Sequence, residues 1–568
     1  MFWVCSFQLS ILLFSVVLSA FFFGKYMAKV FTGKKTVLSP VLVPMENFIY
    51  KCIGVDPKED MGWKEFSCSF LAFVFIGIVA SFLVQKFQEG IFWTPEKFSS
   101  LSWHERLTVA ISWVTNTNWQ WIKSEGSISY FTKMLGMGVQ NFLSTAVGIS
   151  IGVAFVNGFI RRNGEGIGNF WVYLTRSISY ILLPLALVLS GFFMFQGVPN
   201  NLNAYVRAET LEGKEQIIVQ GPIASQVAIK HLGGGGGFFA ANAAHPYENP
   251  TPLTDLVNIL ITLLIAAAFP FMFGELIKDQ REGWTIFVAM ALLLVVVLGI
   301  VLWAEWKSGL VFEKVYLSGK ISMEGKELRF GNISSAISAT IATATSNGAA
   351  NISYASLTPL TGLLLILNMA MGEVIFGGPG LGMVNMIFYG LLTMFLIALM
   401  IGKSPEIYGK KLVAREMVIV VITLFAPGML QLILSAVAIH FGSLFGISTN
   451  LGSHGLTEIF YTFTSVVKNN GSSIAEIGNR SLFYNLALSG AMLFGYLLTT
   501  IPALMVAGSM VKKNISPKLA RFPTANPLFV MILVSVILII SLLSFLPVLV
   551  LGPVVEHLKF AAGVLSNI

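Results

Sequence analysis

Four times along this chain, a short apolar run ends in a small polar or glycine apex and is followed by another long apolar stretch. The apices are Thr115-Asn116-Thr117-Asn118, Gly233 to Gly237, Thr345-Ser346-Asn347-Gly348 and Asn469-Asn470-Gly471. Each lies on a connection between two candidate membrane helices. Selecting a dehydrated cation takes a ring of oxygens around one axis, and a single chain supplies such a ring only by repeating its loop. The repetition therefore restricts the chain to an all-α membrane fold built around a pseudo-four-fold pore.

Composition fits that restriction. Of 568 residues, 55% are hydrophobic and 11% charged, and the mean hydropathy is +0.77. Soluble domains carry roughly 25% charged residues. About ten stretches are long enough to cross ~30 Å of hydrocarbon. They fall near 3–24, 66–87, 128–160, 171–198, 254–277, 284–306, 358–402 (broken), 414–442, 481–510 and 527–551, leaving no room for a soluble domain of normal size. In the first, Lys25 and Lys29 follow the apolar run and no A-x-A-like site ends it. It reads as an anchor, not a cleaved signal.

More than half of the 36 Lys and Arg residues crowd into five short connections: Lys25 to Lys64, Arg161-Arg162, Lys278 and Arg281, Lys403 to Arg415, and Lys512 to Arg521. These alternate with the apex-bearing connections. The positive-inside rule makes the basic set cytoplasmic, with the apices and both termini external. The net charge of +8 is thus a topology signal, and no nucleic-acid partner is implied. Cys5, Cys52 and Cys68 lie at different depths, so no disulfide framework is expected.

The first apex shows the logic of the loops. Trp103 to Val114 can enter a membrane but is too short to cross it. Asn and Thr then compete for backbone hydrogen bonds and break the helix. The negative end of its dipole points at the break, which favours a cation. Ser334 to Ala344 and Leu456 to Lys468 lead into the third and fourth apices, and Ile223 to Leu232 into five glycines, which permit positive φ. With no acidic ring, neutral oxygens must hold the ion, which suits a monovalent cation better than a divalent one. Taken singly, each cluster could be an ordinary external turn. Four in register with paired spans favour re-entrant loops.

Other signals are weaker. Gly402-Lys403-Ser404 resembles the end of a phosphate loop, but Ile397 stands where the leading glycine belongs. His104, His231, His245, His440, His454 and His557 lack ligand spacing and fall near the external boundary, which gives them interfacial or capping roles. No Ser/His/Asp arrangement or carboxylate pair points to hydrolysis. Arg176 reads as a snorkelling residue. Glu373, inside an apolar span, defaults to a functional residue. Beside it, Gly377, Gly378, Pro379, Gly380 and Gly382 must interrupt the helix, and the pair forms a candidate gate. A packed kink with Glu373 paired or protonated is the alternative.

Six segments carry a resemblance to a known family: Ser112-Trp-Val-Thr-Asn-Thr-Asn-Trp-Gln120, Val139-Gln-Asn-Phe-Leu143, His245-Pro-Tyr-Glu-Asn-Pro250, Met323-Glu-Gly-Lys-Glu327, Gly372-Glu-Val-Ile-Phe-Gly-Gly378 and Pro405-Glu-Ile-Tyr-Gly-Lys-Lys411. In order along nearly the whole chain, they resemble the potassium-binding subunit of the bacterial Kdp potassium-transporting ATPase. The resemblance implies four helix–pore loop–helix repeats with one added helix at each end. It divides the chain into an N-terminal helix and cytoplasmic linker (1–60), repeats at 61–160, 161–277, 278–413 and 414–510, and a C-terminal helix (511–568). Its filter would comprise Thr115, Asn116, Thr117, Gly233, Gly234, Gly235, Thr345, Ser346, Asn347, Gly348, Asn469, Asn470 and Gly471. It further implies potassium as the transported ion, no other cofactor, and residence in the bacterial inner membrane. A P-type ATPase subunit and two small membrane subunits are the implied partners. The chain lacks a D-K-T-G-T phosphorylation motif, so catalysis is expected on the partner. Where the family usually reads Gly-Thr-Asn-Gly-Gly-Gly before Phe-Phe, this chain has five glycines before Phe238-Phe239. Where the family commonly has Gly-Arg, it has Gly495-Tyr496. A freestanding potassium channel or ion symporter of the same superfamily is the competing reading.

Overall fold

The computed structural model describes residues 2–88, 101–119, 127–162, 164–237, 239, 240, 242–315, 323–441, 450, 452–474, 481–514 and 523–562. Gln120 and Phe238 of the motifs above, and Lys518 and Arg521 of the last basic connection, lie outside the described residues.

Hydrocarbon offers no hydrogen-bond partner to a bare peptide group, so long apolar runs must close their bonds internally as helices. Among the described residues, ten helices are long and apolar enough to span: Leu9–Phe31, Trp63–Lys86, Thr132–Ile160, Phe170–Phe195, Pro252–Ile277, Gln280–Lys307, Leu381–Ile401, Ala414–Phe441, Leu482–Val511 and Pro527–Ala561. Four shorter helices sit between consecutive spans: Trp103–Val114, Ile223–Gly233, Gly331–Ala344 and Gly452–Val467. With 12, 11, 14 and 16 residues, they reach roughly 16 to 24 Å, too short to cross. The first is set by a capping box in which Glu105 Oε2 accepts from the Ser102 amide at 2.7 Å.

Each unit is a span, a short helix and a second span, and the second span is always the better buried. From first to second span, the buried share of the most apolar window rises from 22% to 83% in the first unit and from 33% to 78% in the second. In the third it rises from 56% to 72%, and in the fourth from 33% to 50%. The second spans therefore form the inner ring. The first span of the chain lies outside, packed along the fifth where Gly24 lacks a side chain: a Cβ there would sit 2.5 Å from the Ala268 carbonyl oxygen. The last span closes the other side, with Phe545 tilted by 52° against Phe460 of the fourth short helix at 5.9 Å between ring centroids.

The inner helix of the third unit is broken, as its glycines and proline require. Helix Pro359–Ala370 ends, Met371 to Gly380 is non-helical, and Leu381–Ile401 resumes. The break begins earlier than expected, because Gly372, Glu373 and Phe376 take φ of 89°, 61° and 50°. Gly382 corrects the expectation at the other end: it lies in the first turn of the resumed helix, its amide donating to the Gly378 carbonyl at 3.1 Å. The linker between the first two spans also contains an unexpected helix, Ser39–Ile53. Its Glu46 accepts from Arg176 Nε at 2.8 Å and from Tyr180 Oη at 3.0 Å. Arg176 is therefore paired rather than snorkelling.

Candidate functional site

Each short helix stops and the backbone then repeats one conformation. Asn116, Gly234, Ser346 and Asn469 have φ of 60°, 58°, 61° and 52°; two residues on, Asn118, Gly236, Gly348 and Gly471 have 50°, 65°, 68° and 84°. Thr117, Gly235, Asn347 and Asn470, between them, stay outside the left-handed region. Alternating the hand of successive residues turns successive carbonyls toward one side of the strand. Asn and Gly tolerate the left-handed positions most cheaply, which accounts for their recurrence. Ser346 is the exception, at a cost of about 1–2 kcal/mol. In three loops the amide of the middle residue reaches back five positions: Thr117 to Ser112 (2.9 Å), Asn347 to Ala342 (3.1 Å) and Asn470 to Ser465 (2.8 Å).

The four loops close a ring. Asn116 Nδ2 donates to the Gly233 carbonyl at 3.2 Å, joining the first loop to the second. A Cβ at Gly236 would lie 1.8 Å from the Asn347 carbonyl oxygen, so second and third touch backbone to backbone. Asn470 Nδ2 donates to the Ala342 carbonyl at 2.9 Å, joining the fourth to the third. Asn469 Nδ2 donates to Thr117 Oγ1 at 2.8 Å and completes the circle. The Nδ2 groups of Asn116, Asn469 and Asn470 thus hold neighbouring loops, while Asn118 Nδ2 and Oδ1 are buried without a hydrogen-bond partner.

The second spans brace this ring. Ser144 Oγ donates to Asn116 Oδ1 at 2.9 Å and Thr145 Oγ1 to the Gly233 carbonyl at 3.2 Å. Asn347 Nδ2 donates to Thr262 Oγ1 at 3.2 Å, which also meets His231 Nδ1 at 3.1 Å. Tyr354 Oη donates to the Gly348 carbonyl at 3.1 Å. Two buried ion pairs fix the loops from outside. Lys326 reaches Glu305 of the sixth span at 2.8 Å, and Glu305 also accepts from Thr358 and Thr361, tying the segment before the third short helix to the start of the broken span. Lys230 pairs with Glu248, whose other oxygen accepts the amides of Phe239 and Ala240, each at 2.7 Å.

The non-helical segment packs against one end of the ring. Pro379 Cδ lies 3.2 Å from where a Gly234 Cβ would be, and Glu373 and Ser346 both border Gly378. A Cβ at Gly148 would meet the Pro379 carbonyl oxygen at 2.7 Å, which is why this segment nests so closely against the third span. Left-handed φ at Glu373 and Phe376 stores strain of order 1–3 kcal/mol each.

All thirteen expected filter residues therefore meet in the ring. Of the expected gate residues, Glu373, Gly377, Gly378, Pro379 and Gly380 lie in the segment beside it and Gly382 in the adjoining helix. Sequence reasoning missed the braces Ser144, Thr145 and Thr262, and also Asn141, whose Nδ2 donates to the Gly236 carbonyl at 3.5 Å, although Asn141 sits within the Val139–Leu143 motif. It also misplaced His231, which is buried beside the ring and not at a boundary. His454 does cap: Glu458 and Glu556, at 3.3 and 2.8 Å, hold its imidazole charged and push its pKa up to about 10.

Known proteins resemble the whole of this arrangement. A family profile described as Potassium-transporting ATPase A subunit matches residues 10–558. The chain is 42% identical over 559 residues to the potassium-transporting ATPase potassium-binding subunit of Bradyrhizobium diazoefficiens, covering 98% of each chain. It is 43% identical to that subunit of Pseudomonas aeruginosa, covering 96% of this chain and 97% of the other. Among solved structures, the potassium transporter TrkH from Vibrio parahaemolyticus shares the fold, with a TM-score of 0.52 over 85% of this chain and 96% of that one at 15% identity. Ring, braces and broken span thus sit in a sequence that belongs to the family of potassium-transporting ATPase A subunits.

Proposed function

We propose that the chain, a multi-pass membrane protein, is the potassium-binding and translocating subunit of an ATP-driven uptake complex. The observation that carries this reading is the closed ring of four loops with one repeated backbone conformation. Backbone carbonyls from Asn116 and Thr117, Gly234 and Gly235, Ser346 and Asn347, and Asn469 and Asn470 replace the water shell of a potassium ion entering from outside. Neutral carbonyl oxygens at a ring of this kind favour a monovalent ion over a strongly hydrated divalent one.

An open filter would dissipate the gradient a pump builds. The segment Met371 to Gly380, with the candidate gate Glu373, Gly377, Gly378, Pro379 and Gly380, stands across the direct route to the cytoplasm. The ion is then led sideways through an intramembrane tunnel to a P-type ATPase subunit, where ATP is hydrolysed. Two small membrane subunits complete the complex. The protein resides in the bacterial inner membrane with both termini external, and its repeats run 61–160, 161–277, 278–413 and 414–510.

The test has two arms. In the assembled complex, ATPase activity should rise with potassium and not with equal sodium. In liposomes holding this chain alone, potassium flux should stay at background. Sustained flux without partner or ATP would favour a freestanding channel or symporter, and activity indifferent to potassium would reject the filter.

A further inference from the structure

The four loops share one backbone conformation but differ in the residue that leads into it. The residue that ends each short helix, just before the first left-handed position, is Thr115, Gly233, Thr345 and Lys468. The backbone geometry makes them equivalent: Thr115, Thr345 and Lys468 all donate their amide four residues back, to Ile111, Ile341 and Thr464. Two threonines cap their own helices, Oγ1 donating to the Ile111 and Ile341 carbonyls at 2.8 and 2.7 Å. The fourth position instead carries a long side chain ending in a positive charge.

That charge is aimed at the broken span. Lys468 Nζ lies 3.5 Å from where a Gly372 Cβ would be. Glu373 is the next residue along, yet among the described residues its carboxylate and the Lys468 side chain form no ion pair within 4.0 Å. The same carboxylate lies against Ser346 and Gly378. Gly495 of the ninth span packs against the residue before Lys468, leaving no room for a side chain against the Val467 carbonyl. The next residue, Tyr496, is fully buried and brings no charge.

We propose that Lys468 is a tethered cation at the end of the filter facing the broken span, holding off a potassium ion that would otherwise leave the filter straight across the membrane. The proposal rests on the potassium-filter reading and adds an electrostatic barrier to the steric one. Like charges repel strongly where water is scarce. A bare carboxylate at Glu373 would do the opposite and draw a potassium ion through; the neighbouring ammonium offsets that pull. The ion held in the ring is left with the lateral route.

The experiment uses the full complex in liposomes and reads rubidium efflux without ATP, beside potassium binding to the purified chain. Lys468→Gln should raise efflux at least tenfold while potassium binding is kept or tightened. Lys468→Arg, which keeps the charge, should stay tight. Glu373→Gln should act in the opposite sense, weakening potassium binding about tenfold with no leak, because the ammonium is then uncompensated. A tight Lys468→Gln complex with normal binding overturns the proposal, and so does a Lys468→Arg complex as leaky as Lys468→Gln. Should Lys468→Gln fail to assemble, Glu373→Gln decides: unchanged potassium binding overturns the barrier. If the unsubstituted chain binds no potassium, the filter reading falls and the barrier with it.

Discussion

Gly236→Ala tests the ring at its closest contact. A methyl carbon at 236 would lie 1.8 Å from the Asn347 carbonyl oxygen, where contacts under 3.0 Å are essentially never tolerated. That oxygen must therefore retreat by about 1.2 Å, the difference between the two distances. Position 236 also has φ of 65°, which costs alanine about 1–2 kcal/mol. The retreating carbonyl is one of those assigned to the ion. Losing one charge–dipole contact on the scale of about 1.5–3 kcal/mol weakens binding roughly 10- to 150-fold. The half-saturating potassium concentration of ATPase activity in the assembled complex should rise by that factor, and discrimination against sodium should narrow. Gly191→Ala, at a glycine whose added Cβ would meet no neighbouring element within 4 Å, is the control and should leave both unchanged. If Gly236→Ala assembles normally and keeps its potassium affinity within about threefold, this loop does not line the filter.

Three further outcomes are expected. Deleting Gly378 to Gly380 should produce passive potassium leak in liposomes without ATP; a deletion protein that reconstitutes intact and stays tight removes this segment as the gate. Lys326→Met strands Glu305 in the interior without its partner, so thermal unfolding in detergent should report a loss of about 3–5 kcal/mol, whereas an unchanged melting temperature would deny the pair its bracing role. The His454 pKa rises from an ordinary 6.5 to about 10 in the folded protein, so its stabilising contribution is full below about 6.5 and disappears as pH climbs through 10. Melting temperature should fall across that window and fall less in His454→Gln; parallel pH profiles for the two proteins would show that this cap does not link the fourth short helix to Glu556.

The spans and the four apices were legible because their signals are local. A long apolar run has one fold available in hydrocarbon, and Asn, Gly and Thr at a helix end mark a break whatever surrounds them. Even the short second loop, which lacks the family's usual Thr-Asn, keeps the left-handed positions at Gly234 and Gly236 because glycine accepts them freely. What sequence could not show depends on pairings between distant residues. Ser144 and Thr145 look like ordinary polar residues in an apolar span until the fold places them under Asn116 and Gly233. Glu46 gives no hint of Arg176, some 130 positions away. The break in the third unit was visible from its glycines, but its start was not. Glu373 and Phe376 carry left-handed backbone that their side chains disfavour, and only the surrounding packing imposes it.

The central claim is that four loops hold one ion with backbone oxygens. Anomalous diffraction, or density maps of the complex in rubidium against sodium, would test it most directly. The account predicts a rubidium peak on the ring axis, surrounded by carbonyls from all four loops at Asn116–Thr117, Gly234–Gly235, Ser346–Asn347 and Asn469–Asn470, and absent or weakened in sodium. A peak ringed by only some of the loops, or an ion bound away from these backbones, would contradict it.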